Sequence, residues 1–67
     1  MTDKQKKIYD IIKKFIEENG YSPTIREIGE IANLNSTSTV YQHLIALENK
    51  GYITTKIGKS RTIKVVK

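Results

Sequence analysis

The chain contains no cysteine, which removes disulfides and thiolate metal sites as sources of stability and is compatible with a reducing compartment. It has one histidine, His43, with no second His or Cys to join it. A partly buried structural ring is therefore expected there, with no metal and no cofactor. Acidic residues are scattered over helical segments and no glycine-rich phosphate loop occurs, so the chain does not read as an enzyme. Apolar runs extend for only a few residues and the N-terminus is polar, which excludes a signal peptide and a transmembrane helix from the expectation. Tryptophan is absent as well. A basic helix lying on a membrane would want such an anchor, and Asp10, Glu17 and Glu18 interrupt the basic face of the first helix, so no membrane partner is expected.

What is present fits one small domain, residues 1–67, near the lower limit of independent stability. Twelve Lys and Arg against seven Asp and Glu give a net charge of +5. On so small a body this suggests a polyanionic partner, with ordinary solubilising charge as the bland alternative. The basic residues gather at the two ends, Lys4, Lys6 and Lys7 at one and Lys56, Lys59, Arg61, Lys64 and Lys67 at the other, with most of the acids between.

Thr2 and Gln5 have capping-box spacing, which predicts a helix start. Ile8, Ile11, Ile12, Phe15 and Ile16 then form one apolar stripe, and Asn19–Gly20 ends it. Tyr21, Ser22 and Pro23 read as an extended connection. Thr24 and Glu27 repeat the capping box and predict a short second helix from Ile25 to about Ala32, with Ile25, Ile28, Ile31 and Ala32 on its inner face. Gly29 in mid-helix costs about 1 kcal/mol relative to alanine. That cost is explained if the following helix crosses closely there. Asn33 offers a left-handed stop and Leu34 returns to the core.

Ser36, Thr37, Ser38 and Thr39 are poor helix formers, yet they precede Val40, Leu44 and Leu47, a helical stripe closed by Gly51. The hydroxyl run is therefore the N-cap and first turn of a third helix. At 100° per residue the face opposite the stripe carries Ser38, Tyr41, Gln42, Ile45 and Asn49. Short hydroxyls at a helix start can approach base edges and phosphates, and glutamine can pair bidentately with adenine in the major groove. Unpaired amides at that helix start favour phosphate further. Ile45 fits a thymine methyl contact, packing under the following hairpin, or plain exposure.

After Gly51 the apolar period changes from 3.6 to 2. Tyr52–Lys56 and Arg61–Lys67 read as two strands joined by a turn at Ile57, Gly58, Lys59 and Ser60, with Ile53, Ile63 and Val65 packing on the helices. The tip from Gly58 to Arg61 has the small and basic residues expected near a phosphate backbone or minor groove. The fold class expected is mainly α with a small antiparallel hairpin: a winged helix-turn-helix of three helices and a wing.

The segments GYSPTIREIGEIANL, STSTVYQHLIALENKGYI and GKSRTIKV together resemble the N-terminal DNA-binding domain of the LexA repressor family, the repressors of the bacterial SOS response to DNA damage. The resemblance covers nearly all of the chain. It implies transcription regulation through double-stranded DNA, a palindromic operator, and a cytoplasmic, nucleoid-associated protein. Positions matching Ser36, Ser38, Thr39, Tyr41 and Gln42 would lie on the operator-reading helix, with Thr37 among them in the hydroxyl run, and those matching Lys50 and Arg61 would contact the DNA backbone beside Lys59. Other members carry acidic residues where Tyr41 and Gln42 stand, so the resemblance does not carry over their base preference. Full-length members continue into a self-cleaving peptidase domain with a Ser and Lys pair and an Ala-Gly cleavage site. No Ala-Gly pair occurs in these 67 residues, so no self-cleavage is expected of them and self-association should be weak or absent. The alternatives are a winged-helix protein-interaction module, docking through Tyr41, Ile45 and Tyr52, and a short stand-alone regulator outside the SOS response.

Overall fold

The computed structural model describes residues 1–56 and 58–67. Three helices come first, α1 (Asp3–Asn19), α2 (Ile25–Ala32) and α3 (Thr37–Asn49), and two short strands follow, β1 (Ile53–Thr54) and β2 (Lys64–Val65). Both predicted capping boxes are formed: the Thr2 and Thr24 hydroxyls accept the amides of Gln5 and Glu27, whose side chains accept the amides of Thr2 and Thr24 in return. Each satisfies two helix-end amides that would otherwise lack partners. Gly20 (φ 78°) and Asn33 (φ 59°) stop α1 and α2 in the left-handed conformation, as the sequence predicts.

The helices wrap one core. Ile8 and Ile12 from α1, Ile28 and Ala32 from α2, and Val40, Leu44 and Leu47 from α3 are buried together, joined by Ile53 and Ile63 from the hairpin. Ile31 departs from the expected inner face, being 54% exposed. It lines a surface groove with Ile11, Lys7, Asp10 and Lys14 of α1. The buried arc of an eight-residue helix is narrow, and Ile28 and Ala32 fill it.

Gly29 is buried where α3 crosses. A Cβ there would stand 3.3 Å from the Leu34 carbonyl oxygen and 3.5 Å from Val40 Cγ2, so the mid-helix glycine marks a close approach. Gly29→Val, which adds a branched side chain at that contact, is expected to destabilise the domain by about 2 kcal/mol or more. Thermal denaturation measures this, and an unchanged melting temperature would mean that the crossing has room to spare.

The hairpin is shorter than the sequence suggests. Among the described residues only Ile53↔Val65 and Thr54↔Lys64 pair, antiparallel, instead of strands across Tyr52–Lys56 and Arg61–Lys67. Side chains replace the ladder beyond those pairs. The Thr62 hydroxyl accepts the Lys56 amide and lies within donating distance of the Lys56 and Lys59 carbonyls, and the Lys59 amide reaches the Lys56 carbonyl at 3.2 Å. Of the predicted turn, Ile57 lies outside the described residues. At the other end, Val66 and Lys67 donate to the Tyr52 carbonyl, the Tyr9 hydroxyl donates to the Lys67 carbonyl, and Tyr9 and Tyr52 meet edge to face at 5.8 Å. These contacts bind the last residues to α1.

Candidate nucleic-acid interface

Ser36 is the N-cap of α3: its hydroxyl accepts the Thr39 amide, and its extended backbone turns the chain into the helix. The cap leaves Ser36, Thr37, Ser38 and Gln42 exposed, while Val40, Leu44 and Leu47 hold the opposite face in the core. Thr39 is half-buried at the border. Tyr41 is also half-buried and turns toward the hairpin instead of standing fully outward with Ser38 and Gln42.

Between the start of α2, the start of α3 and the wing lies a cleft of about 370 Å³. Thr24, Thr37 and Tyr41 form one side of it, and Lys59 and Ser60 the other. Among the described residues its charged lining is Arg26, Lys56, Lys59 and Arg61, all cationic. Coulombic focusing in such a cleft favours a polyanion. Neither Arg26 nor Lys56 stands out in the sequence as a site residue, because Arg26 belongs to the surface of a helix whose apolar pattern says only where the core is. The fold turns both toward the entrance of α3.

The structure brings Thr37, Tyr41 and Lys59 to one cleft, with Ser36, Ser38, Thr39 and Gln42 beside them at the cap and in the first half of α3. Lys50 is elsewhere. As the C-cap of α3 it lies about 20 Å along the helix from Ser36, and its ammonium donates to the Gln5 side chain at 2.9 Å. Arg61 borders the cleft but is engaged inside the domain. Its guanidinium nitrogens Nη1 and Nη2 lie 3.0 and 3.3 Å from the two carboxylate oxygens of Glu27, Nη1 is 3.1 Å from the Ser22 carbonyl, and Cζ sits 4.8 Å from the centroid of the Tyr21 ring. Glu27 is held below the ordinary carboxylate value of 4.5, chiefly by the Thr24 amide, which outweighs the opposing desolvation, and further by Arg61. It is therefore an anion over the physiological range.

Of Tyr41, Ile45 and Tyr52, only Ile45, at 39%, is strongly exposed. Tyr52 lies against Tyr9 and beneath the Lys67 ammonium, 5.7 Å from its ring centre. The three do not make a large apolar docking patch. His43 is half-buried beside the core stripe, and among the described residues no cluster of His, Cys, Asp and Glu could hold a metal ion. No described helix is long and apolar enough to cross a membrane.

A family model described as the LexA DNA binding domain matches residues 1–62. The chain is 50% identical over 66 residues to a LexA repressor of Staphylococcus epidermidis, 52% to one of Caldicellulosiruptor saccharolyticus and 47% to one of Staphylococcus aureus. Each match covers 98% of this chain but only 32–33% of the relative, so the chain spans about a third of the length of these curated relatives. The exposed N-terminus of α3, the cationic cleft beside it and the family match over nearly the whole sequence agree: the chain belongs to the LexA DNA-binding domain family.

Proposed function

We propose that residues 1–67 act as a single domain that binds double-stranded DNA sequence-specifically, as the operator-recognition part of a LexA-like repressor of the bacterial SOS response. Binding is its whole activity, with no chemical step, and its place is the cytoplasm, on the nucleoid. The observation that carries this reading is the start of α3, a capped helix end that presents Ser36, Thr37, Ser38 and Gln42 to solvent beside a cleft with cationic charged groups.

On this reading α3 enters the major groove by its N-terminal turns. Ser36, Thr37, Ser38 and Thr39 contact phosphates and base edges, Gln42 pairs with an adenine edge, and Tyr41 meets the sugar-phosphate wall of the groove. Lys59 follows the backbone from the wing, joined by Arg26 and Lys56 across the cleft. Lys50, at the far end of α3, serves only a flanking phosphate. The operator is a palindrome read by two copies, one per half-site, whose self-association is weak without further contacts.

Selection of bound duplexes from a random pool tests the reading and defines the site. Gln42→Ala is then expected to relax the preference at one or two base positions, at a cost of about 1–3 kcal/mol for the preferred base. Equal weakening on all sequences would remove Gln42 from base reading. Failure to enrich any duplex, with binding insensitive to salt, would point to a protein-docking module instead.

A further inference from the structure

We propose that Arg61 is a positioning residue, which holds the wing against the first turn of α2 through Glu27, and is not itself a ligand of the DNA backbone. The inference rests on the duplex-binding reading above for its consequence, but its structural half stands independently.

A hairpin of two paired residues per strand cannot fix its own angle. Besides the Tyr9 contacts at the chain's last residues, three side-chain fastenings outside the ladder join it to the helices among the described residues. The Thr55 amide donates to Glu48 of α3 at 3.2 Å, and the Ile63 amide donates to the buried Ser22 hydroxyl at 3.1 Å. The third is Arg61, whose fork meets both Glu27 oxygens, with the Ser22 carbonyl and the Tyr21 ring completing its surroundings. The Glu27 carboxylate, the Ser22 carbonyl and the Tyr21 ring all belong to the α1–α2 connection or the first turn of α2.

The backbone at Arg61 adds an independent sign. Its φ is +57°, a left-handed conformation that costs an ordinary L-residue roughly 1–2 kcal/mol. Any residue type pays this where the turn demands it, but arginine from this position reaches a fork that lysine cannot make, since the planar guanidinium matches a carboxylate and stacks on a ring. Lys59, two residues earlier, has no such side-chain engagement among the described residues and lines the cationic cleft. A phosphate drawn to Arg61 would also approach the Glu27 carboxylate, which is fixed by the Thr24 amide at 2.9 Å. The basic residue that looks most like a phosphate ligand in sequence is thus neutralised by its neighbour.

Two conservative variants decide between the roles. Glu27→Gln keeps the capping box, since glutamine also accepts the Thr24 amide, but removes the carboxylate. Arg61→Lys keeps the charge and removes the fork. If Arg61 positions the wing, both variants raise the amplitude of backbone motion at Gly58, Lys59 and Ser60 by 15N relaxation. Both also weaken duplex binding, by about threefold to tenfold, although Glu27→Gln makes the protein more positive. The salt slope stays that of the parent, whereas Lys59→Ala lowers it by about one. The pair of changes together weakens binding no more than either alone. If Arg61 instead holds a phosphate, Arg61→Lys binds nearly as the parent and Glu27→Gln binds more tightly, having lost a competing anion; either result overturns the proposal. Unchanged wing motion in both variants overturns it too. A parent domain that binds no duplex refutes the DNA reading alone, because the relaxation data still report on the fastening.

Discussion

Leu47→Ala is expected to lower the melting temperature by about 10–25 °C, whereas Ile45→Ala, on the same helix, should move it by only a few degrees. Leu47 has no exposed surface and packs in the core with residues of α1, α2 and the hairpin, while Ile45 stands 39% exposed. Truncating a buried leucine costs about 2–5 kcal/mol, part of it for the cavity left behind. A domain of this size has about 3–10 kcal/mol of stability in total. It has no disulfide to offset the loss. Leu47 also supplies the carbonyl that receives the Tyr52 amide, so a cavity at this point loosens the passage from α3 into the wing. Calorimetry or a far-UV melt gives the comparison directly. A melting temperature within a few degrees of the parent for Leu47→Ala would mean that the core closes over the gap and that α3 is not its centre. Below its melting point the variant should still bind duplex, because the exposed face of α3 is unaltered.

The elements that sequence conveys well here are those fixed by local rules. Thr2 with Gln5 and Thr24 with Glu27 give both helix starts, because a capping box is a contact between residues three apart. Gly20 and Asn33 give two of the stops by their tolerance of positive φ. Ser36 is legible as a cap once Val40, Leu44 and Leu47 are seen as a stripe. What is not local is not legible. The strands look longer in sequence because β-branched residues run from Ile53 to Thr55 and, Lys64 apart, from Thr62 to Val66, but partners are set by the Thr62 and Glu48 side chains as much as by a ladder. The engagement of Arg61 with Glu27 joins positions 34 residues apart. Nothing in composition or period separates such an arginine from one that awaits a phosphate. Arg26 is unremarked for the same reason, since its nearness to Lys56 and Lys59 is created by the crossing of α2, α3 and the wing.

On the proposed reading, recognition of a half-site would rely on two bodies held in different ways. The reading helix is set by Val40, Leu44 and Leu47 in the core and by the close crossing at Gly29. Among the described residues, the wing is held by side-chain fastenings at Glu48, Ser22, Glu27 and Tyr9 around a two-residue ladder. Errors in the first should alter which bases are preferred, and errors in the second should weaken all sequences together.

Fusing a dimerising coiled coil after Lys67 is expected to tighten binding to a duplex with two half-sites by about a hundredfold or more, and binding to a single half-site hardly at all. Alone, the domain meets the full cost of association with each half-site, and on a palindrome a second copy gains only what contacts between neighbours provide. Micromolar or weaker affinity for one half-site at physiological salt follows, close to the boundary between non-specific and specific binding. The two copies should then load in two loosely coupled steps. Joining them makes the second step intramolecular at a millimolar effective concentration, provided the linker spans half-sites one or more helical turns, roughly 34–36 Å each, apart. The last residues, at the end of the wing's second strand, are fastened by the Tyr52 carbonyl and by the Tyr9 hydroxyl of α1, so an added linker leaves from a fixed point. Titration of both forms against one-site and two-site duplexes, with half-site spacing varied in steps of five base pairs, gives the measurement. Gains that rise and fall with helical phase would establish two copies on one face of the duplex. If the unfused domain already forms a nanomolar dimer in solution, these residues carry their own dimer interface, and the half-site account fails.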